Sequence, residues 1–138
     1  MLVKEAMTKD VITIRAKKTV LDACNKYRDY KVGCLVVTDN DFCVGILTER
    51  DIIERTICQN RDPKKTLVKE IMSSDTKTIH ALDTIDKATE IMIENKVKKL
   101  PVVVNERLVG IITVTDISRA RLDLAKRFDD SFLTNNGY

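Results

Sequence analysis

Residues 45–51 read Gly-Ile-Leu-Thr-Glu-Arg-Asp, and residues 110–116 read Gly-Ile-Ile-Thr-Val-Thr-Asp. In both places an apolar run reaches the isoleucine, and the threonine and aspartate then follow with a spacing of three residues. A threonine followed three residues later by an acidic side chain is typical of a helix N-terminus. The sequence therefore predicts the same strand-to-helix turn twice, with helices that begin at Thr48 and Thr113.

The two turns belong to a longer internal repeat with an offset of 65 residues. Residues 3–51 align with residues 68–116 without a gap, and Val3-Lys-Glu-Ala-Met7 returns as Val68-Lys-Glu-Ile-Met72. Repetition on this scale indicates one folding unit that is present in two copies. We expect a first repeat over residues 1–60, a linker over 61–66, a second repeat over 67–125 and a flexible C-terminal tail over 126–138.

Each copy shows the same order of predicted elements. A short helical turn leads into a brief strand at 11–14 or 76–79, and an amphipathic helix follows with Thr19 or Thr84 at its N-cap. Two strands joined by a polar turn come next, and their uninterrupted apolar runs predict a sheet that is covered on both faces. The expected fold class is α/β (α+β), with a β-α-β-β-α pattern that occurs twice. A last helix is expected in each copy, through Ile52, Ile53 and Ile57 in the first and through Ile117, Ala120 and Leu124 in the second.

The composition describes a globular protein without a strong electrostatic signature. Lys and Arg number 24 against 21 Asp and Glu, which gives a net charge of +3, and 43% of the residues are hydrophobic. This balance argues against nucleic-acid binding, which usually shows as a basic stripe or cluster. No apolar run approaches the roughly 20 residues that span a bilayer, and the N-terminus lacks the apolar stretch of a signal peptide. We therefore expect a cytoplasmic protein with no membrane partner.

Residues that could support catalysis or bind a metal are few and scattered. The four cysteines lack the paired spacing that zinc sites use, and His80 is the only histidine. No nucleophile has a partner base at a recognisable spacing, and the chain contains no glycine-rich phosphate loop. The sequence predicts no catalytic residue, no metal and no required cofactor, and hence a protein that is not an enzyme.

The repeated turn permits two chemical interpretations. A helix N-terminus offers unpaired N–H groups and a partial positive charge, which suit a phosphate. A nearby carboxylate can accept two hydrogen bonds from a vicinal diol such as that of ribose. Alternatively, the threonine and the aspartate form a capping box that only satisfies the backbone of their own helix. The residues alone leave both a nucleoside-phosphate pocket and a structural cap open.

The chain resembles a tandem pair of CBS domains, the cystathionine-β-synthase-type motif also called a Bateman module. The resemblance covers about residues 3–122. The matching stretches are Met7-Thr8 with Val11-Ile-Thr-Ile14, Met72-Ser73 with Thr78-Ile79, Leu100-Pro-Val-Val103 and both turns. The resemblance implies two repeats packed with pseudo-twofold symmetry, with clefts between them that bind AMP, ADP, ATP or S-adenosylmethionine. It also implies a regulatory module that forms a homodimer through its helices and acts on a partner protein.

The resemblance further implies which residues line the two clefts. The aspartate of each turn would hold the ribose hydroxyls, and the isoleucine two positions before the threonine would contact the adenine. The first cleft is expected to use Ile46, Thr48, Asp51, Met72, Lys77, Val97 and Lys98. The second is expected to use Ile111, Thr113, Asp116, Met7, Thr8, Ile12, Val32 and Gly33. Candidate phosphate contacts are Arg50, Lys98 and Arg119.

Two alternatives from other functional classes stay open. In a ligand-independent dimerisation or scaffold module, both aspartates only cap their helices. In a weak nucleic-acid binder, the contacts come from Lys64, Lys65, Lys98 and Lys99. The copies also differ where Gly33-Cys34 corresponds to Lys98-Lys99. We therefore expect the cleft lined by Lys98 to be the more electropositive one.

Overall fold

The computed structural model describes residues 1–132, which form two compact units. The central unit spans residues 12–76, and the flanking unit combines residues 1–11 with residues from 77 onward. The units do not follow the repeat boundaries. Each contains the short helix that begins the other repeat, so that α1 (Val3–Ala6) lies in the flanking unit.

The central unit is a small sheet covered by helices. Its elements are β1 (Thr13–Arg15), α2 (Val20–Tyr30), β2 (Cys34–Asp39), β3 (Phe42–Thr48), α3 (Glu49–Ile52), a π-helix (Ile53–Ile57) and α4 (Val68–Ile71). β1 runs parallel to β2, and β2 runs antiparallel to β3. The core contains apolar side chains from all three strands and from the helices: Ile14, Ala16, Val20, Ala23, Leu35, Val37, Leu47, Ile52, Val68 and Ile71.

Local sequence signals fix the ends of these elements. The Thr19 hydroxyl accepts the Asp22 N–H at 3.1 Å, and the Asp22 carboxylate accepts the Thr19 N–H at 3.0 Å. This reciprocal capping box starts α2. The helix stops at Lys31, whose φ of 57° lies in the left-handed region. Asn40 and Asp41 have φ angles of 50° and 70°, which the two-residue type I′ turn between β2 and β3 requires.

The flanking unit repeats this arrangement and adds a helix. Its elements after α1 are β4 (Ile79–His80), α5 (Ile85–Asn95), β5 (Lys99–Val104), β6 (Arg107–Thr113), α6 (Val114–Ala120) and α7 (Leu122–Phe132). β4 runs parallel to β5, and β5 runs antiparallel to β6. Thr84 caps α5 by accepting the Lys87 N–H at 3.2 Å. The core of this unit contains Val3, Ile79, Ala81, Ile85, Ala88, Met92, Leu100, Val102, Ile112, Ile117, Leu124 and Phe128.

The α+β class and the duplicated β-α-β-β-α order are confirmed, as are the N-caps at Thr19 and Thr84. The strands expected at 11–14 and 76–79 begin later, at Thr13 and Ile79. The last helix of each copy was wrongly expected to be continuous. In the first copy it becomes a π-helix after Ile52, and in the second it breaks at Arg121, whose backbone is extended.

Side-chain exposure differs between the last helices of the two copies. Ile53 and Ile57 are 56% and 59% exposed. The flexible tail expected from residue 126 does not begin there, since α7 continues to Phe132 and Phe128 is only 2% exposed. The buried Phe128 holds α7 against the core, although the polar composition of the segment after Arg127 suggested a flexible tail. The expectation for residues 133–138 lies outside the described residues.

Two lead-in segments, residues 7–8 and 72–73, make close backbone contacts with a strand of their own unit. In the central unit Ser73 and Ile46 exchange two N–H···O bonds of 3.0 Å each. In the flanking unit Thr8 and Ile111 do the same at 2.8 and 2.9 Å. The residue before each isoleucine is a glycine, and the missing Cβ permits this approach. The lead-in segments are thereby held beside the strands that run into the repeated turns.

Gly45→Ala and Gly110→Ala are each expected to lower the free energy of unfolding by about 1–3 kcal/mol, as overpacking does. An added Cβ would lie 2.6 Å from the Ser73 carbonyl oxygen at position 45 and 2.9 Å from the Thr8 carbonyl oxygen at position 110. Urea denaturation followed by circular dichroism measures the loss. Gly33→Ala is the matched control, because its added Cβ would be 4.0 Å from Glu49 Oε1. Equal losses at all three positions would contradict the steric explanation.

Candidate ligand-binding turns

Each repeated turn is a reciprocal capping box at the end of a strand. At the end of β3 the Asp51 N–H donates to Thr48 Oγ1 at 3.2 Å, and Asp51 Oδ2 accepts the Thr48 N–H at 2.9 Å. At the end of β6 the equivalent distances between Thr113 and Asp116 are 3.1 and 3.0 Å. The structural cap, one of the two open interpretations, is therefore present at both turns. It fixes the position and orientation of both carboxylates.

The cap uses one oxygen of each carboxylate and leaves the other directed elsewhere. Asp51 Oδ1 lies 3.9 Å from Arg55 Nε. Asp116 Oδ1 lies 3.4 Å from the Thr8 hydroxyl, which can donate to it. An ionised carboxylate has about four lone-pair directions, so one capping bond does not exhaust its capacity as an acceptor. The capping role and a ligand-binding role are thus compatible at the same side chain.

Asp51 and Arg55 form an ion pair that sequence reasoning missed. The Asp51 side chain is only 12% exposed, whereas that of Arg55 is about half exposed. The guanidinium of Arg55 also donates to the carbonyl oxygens of Ile71 and Met72 at 3.0 and 3.3 Å. The i,i+4 spacing of an acidic and a basic residue in a helix is the signal that could have identified this pair.

The two turns differ at the position of this arginine. Residue 120, which corresponds to Arg55 at the repeat offset, is Ala. The Asp51 turn therefore has a cation beside its carboxylate, whereas the Asp116 turn has a neutral hydroxyl from Thr8. This difference gives the two turns unequal electrostatic character.

In each unit, the structure brings several of the predicted site residues of one turn together. In the central unit Met72 lies against Gly45, next to Ile46 and the Asp51 turn. In the flanking unit Met7 and Thr8 lie against Gly110, next to Ile111 and the Asp116 turn. The contributions that the resemblance implies from the other repeat stay predictions; they are Lys77, Val97 and Lys98 for the first site and Ile12, Val32 and Gly33 for the second.

Within each unit, the start of the second strand lies behind the turn. The Gly33 carbonyl accepts the Glu49 N–H at 3.4 Å, and the Lys98 carbonyl accepts the Val114 N–H at 3.0 Å. These bonds extend the backbone contacts of both helix N-termini beyond the capping boxes. They tie α3 and α6 to the sheets of their own units.

The candidate phosphate contacts have different surroundings. Arg50 forms an ion pair with Glu54 at 3.5 Å, and the Lys98 ammonium lies 5.4 Å from the centre of the Phe132 ring. The Arg119 side chain is exposed. Arg50 and Arg119 lie on the helices that follow the two turns, and Lys98 directly precedes β5. Contact of these three side chains with a phosphate stays a prediction.

Residues 1–132 contain neither a cluster of potential metal ligands nor a helix that could span a membrane. Across this part of the chain, no three His, Cys, Asp or Glu side chains are grouped so that they could share a metal ion. None of the helices described is long and apolar enough to cross a membrane.

Comparison with known proteins identifies the same family for both halves of the chain. The family model "CBS domain" matches residues 3–57 and 68–123. CBS domain-containing protein YhcV of Bacillus subtilis is 32% identical over 116 residues, which are 84% of this chain and 82% of YhcV. Protein MK0525 of Methanopyrus kandleri is 32% identical over 117 residues, and the chain spans 60% of its length.

A solved structure with bound ligands is also similar to this chain. It is the CBS domain pair of protein MJ0100 in complex with 5′-methylthioadenosine and S-adenosyl-L-methionine. The TM-score is 0.75 and the sequence identity 30%, and the similarity covers 87% of this chain and 94% of that one.

Asp51→Ala and Asp116→Ala are each expected to lower the free energy of unfolding by about 1 kcal/mol, because the bond from the threonine N–H to the carboxylate is lost while Thr48 and Thr113 remain as N-caps. Asparagine at the same positions should cost less, since its amide oxygen can still accept the threonine N–H. Chemical denaturation of the four variants measures both effects. Asp75→Ala, at an exposed position outside any helix, is the control and should change stability by less than about 0.5 kcal/mol. A loss at Asp75 as large as at the turns would refute the capping explanation.

Proposed function

Because the chain belongs to the CBS domain family, we propose that it is a regulatory module that binds an adenosyl ligand at its two threonine–aspartate turns. The ligand class is AMP, ADP, ATP or S-adenosylmethionine, and ligand binding is communicated to a partner protein. The observation that carries the proposal is the second oxygen of each capping carboxylate. Asp51 Oδ1 and Asp116 Oδ1 are held in place by the cap, yet neither accepts a backbone N–H of its own helix.

A fixed carboxylate suits the vicinal hydroxyls of ribose. Two hydroxyls on adjacent carbons can donate to one carboxylate, and hydrogen bonds to an ionised acceptor are stronger than neutral ones. The cap and the strand hold the aspartate before any ligand arrives, so that less conformational entropy is lost on binding. At the Asp116 turn the Thr8 hydroxyl, 3.4 Å from Oδ1, marks a direction from which a hydroxyl can donate.

Apolar side chains beside each carboxylate suit the planar adenine. Ile46 and Met72 at the Asp51 turn are partly exposed, as are Ile111 and Met7 at the Asp116 turn. Methionine adapts its shape readily and makes favourable contacts with aromatic rings. An apolar surface next to a fixed acceptor is the combination that a nucleoside needs. The complex of MJ0100 with two adenosyl compounds supports the same ligand class for this chain.

The difference at Arg55 gives the two turns different ligand preferences in this proposal. At the Asp51 turn the half-exposed guanidinium can pair with a phosphate once the ribose hydroxyls take over the carboxylate. The Asp116 turn has Ala120 in place of that arginine and suits a ligand with less negative charge. Arg50, Lys98 and Arg119 remain further candidates for phosphate contact.

Arg55 also provides a route from ligand to surface. It belongs to the π-helix and is bonded to the carbonyl oxygens of Ile71 and Met72, so a ligand that displaces it from Asp51 alters the restraints on that helix. The same π-helix exposes Ile53 and Ile57 to solvent. We propose that Ile53 and Ile57 form the homodimer contact. A change in the π-helix would then alter the contact with the second chain.

Isothermal titration with AMP, ATP and S-adenosylmethionine is expected to show saturable binding of at least one of them. Asp51→Asn and Asp116→Asn should each weaken binding at their own turn by about tenfold or more, because a charge-assisted acceptor becomes neutral while the cap is retained. A double variant should abolish measurable binding.

Asp83→Asn is the matched control for this titration. Asp83 Oδ2 likewise accepts a backbone N–H, that of His80 at 3.1 Å, but the residue belongs to neither of the candidate turns. Its replacement should leave ligand affinity unchanged. If none of the three compounds binds the unmodified protein with a dissociation constant below about 1 mM, the adenosyl proposal is wrong. A loss of stability without any ligand effect would instead support the scaffold alternative.

Ile53→Glu combined with Ile57→Glu is expected to convert a homodimer into a monomer, because two charges would enter the apolar contact. Size-exclusion chromatography with light scattering, over a range of protein concentrations, measures the change. Leu82→Glu is the control, since Leu82 is also exposed, at 57%, but belongs to the flanking unit and not to the π-helix. A dimer that survives the double substitution would place the contact elsewhere.

A further inference from the structure

A basic groove on the central unit lies between the edge of β1 and α2. It is a cavity of about 340 Å³ lined by Thr13, Ile14, Arg15, Lys18, Asp22, Asn25 and Lys26. Three of these side chains are cationic and one is acidic. The repeated turns contribute none of the lining residues, so the groove is separate from the adenosyl sites proposed above and does not depend on them.

Hydrogen bonds fix the ammonium group of Lys26 and the main chain of Lys18. The Lys26 ammonium donates to the Thr13 carbonyl at the base of the groove, which leaves two further N–H donors on the same nitrogen. The Lys18 N–H donates to the Arg15 carbonyl at 3.1 Å, and the Lys18 carbonyl accepts the Val68 N–H at 2.8 Å. The one carboxylate, Asp22, is already engaged in the capping box with Thr19.

The edge of β1 adds backbone donors to the groove. The Ile12 carbonyl and the Ala16 N–H bond to β2, so in a parallel ladder the alternate residues, Thr13 and Arg15, direct their N–H and C=O groups to the opposite side. The carbonyls of both residues accept bonds from lysines, Thr13 from the Lys26 side chain and Arg15 from the Lys18 backbone. The edge therefore presents N–H groups flanked by ammonium groups, which is an arrangement that recognises an oxyanion.

The second repeat shows how such an edge N–H is satisfied by a carboxylate. His80 corresponds to Arg15 and Asp83 corresponds to Lys18 at the repeat offset. In the flanking unit the His80 N–H donates to Asp83 Oδ2 at 3.1 Å. The position of Lys26 is taken by Ile91. In the second repeat the Asp83 carboxylate therefore occupies the edge N–H. In the first repeat the corresponding residue is Lys18, and Arg15 and Lys26 add two more cations.

We infer that the groove lined by Arg15, Lys18 and Lys26 binds the phosphate group of a small molecule. The phosphate oxygens accept the Arg15 N–H and the ammonium groups, in the manner of the Asp83 carboxylate in the second repeat. A volume of about 340 Å³ is at the lower end of the range for ligand pockets and suits a compact phosphorylated metabolite.

Titration of the ¹⁵N-labelled protein with inorganic pyrophosphate at constant ionic strength tests this site. The Arg15 and Thr13 amide resonances should shift and saturate, whereas the His80 amide, already bonded to Asp83, should not move. Lys18→Asp places in the first repeat the carboxylate that the second repeat has. This substitution should lower pyrophosphate affinity by about tenfold or more, as the loss of a charge-assisted bond together with added repulsion requires.

Lys65→Asp is the matched control, because it makes the same charge change on the exposed linker outside the groove. It should leave the affinity within about twofold, since an exposed charge that does not line the groove is screened by solvent and salt. If Lys18→Asp and Lys65→Asp lower pyrophosphate affinity equally, the effect comes from net charge alone and the inference is wrong. It is also wrong if the Arg15 amide resonance does not move at up to about 10 mM pyrophosphate. If a single-stranded oligonucleotide shifts the same amides and pyrophosphate does not displace it, the groove binds nucleic acid and the inference is wrong.

Discussion

The close approach of a lead-in segment to a glycine in the neighbouring strand is the constraint on which both candidate sites depend. At Gly45 the backbone of Ser73 occupies the space of a side chain, and at Gly110 the backbone of Thr8 does so. Each approach is closed by two backbone hydrogen bonds. Three residues beyond each glycine the strand ends in a threonine that caps the next helix. The contact therefore positions Met72 at one turn and Met7 with Thr8 at the other.

The capping aspartates show how a stability element can keep a hydrogen-bond acceptor available for the proposed ligand. One oxygen satisfies an otherwise unpaired N–H at the helix end, and the other is left with a partner that a ligand can replace. Holding a carboxylate in this way restricts its rotamers before a ligand binds. Under the proposed function, the cap and the ligand site, which the residues alone left open as alternatives, are two uses of one side chain.

The sequence predicts the backbone pattern better than it predicts the surface. The repeat offset, the threonine caps and the apolar strands follow from local rules, and the structure confirms the resulting fold. The π-helix at 53–57 could not be foreseen from the sequence. Ile53 and Ile57 are four residues apart, as on one face of an α-helix, and their exposure depends on how the helix packs on the rest of the unit. The exchange of short helices between repeats, which joins α1 to the flanking unit, is a non-local result that no periodicity indicates.

Comparison of the two repeats separates positions required by the fold from positions free to acquire a function. The glycine, threonine and aspartate of each turn are the same in both copies, because steric clearance and capping fix them. Arg55 and Lys18 instead correspond to Ala120 and Asp83. Neither position is needed for the backbone pattern, which both copies share, yet each changes the charge presented to a ligand. Under the proposals made for the turns and the groove, two copies with one backbone and different charges would recognise chemically different ligands, and the cations of the first repeat would favour the more anionic one.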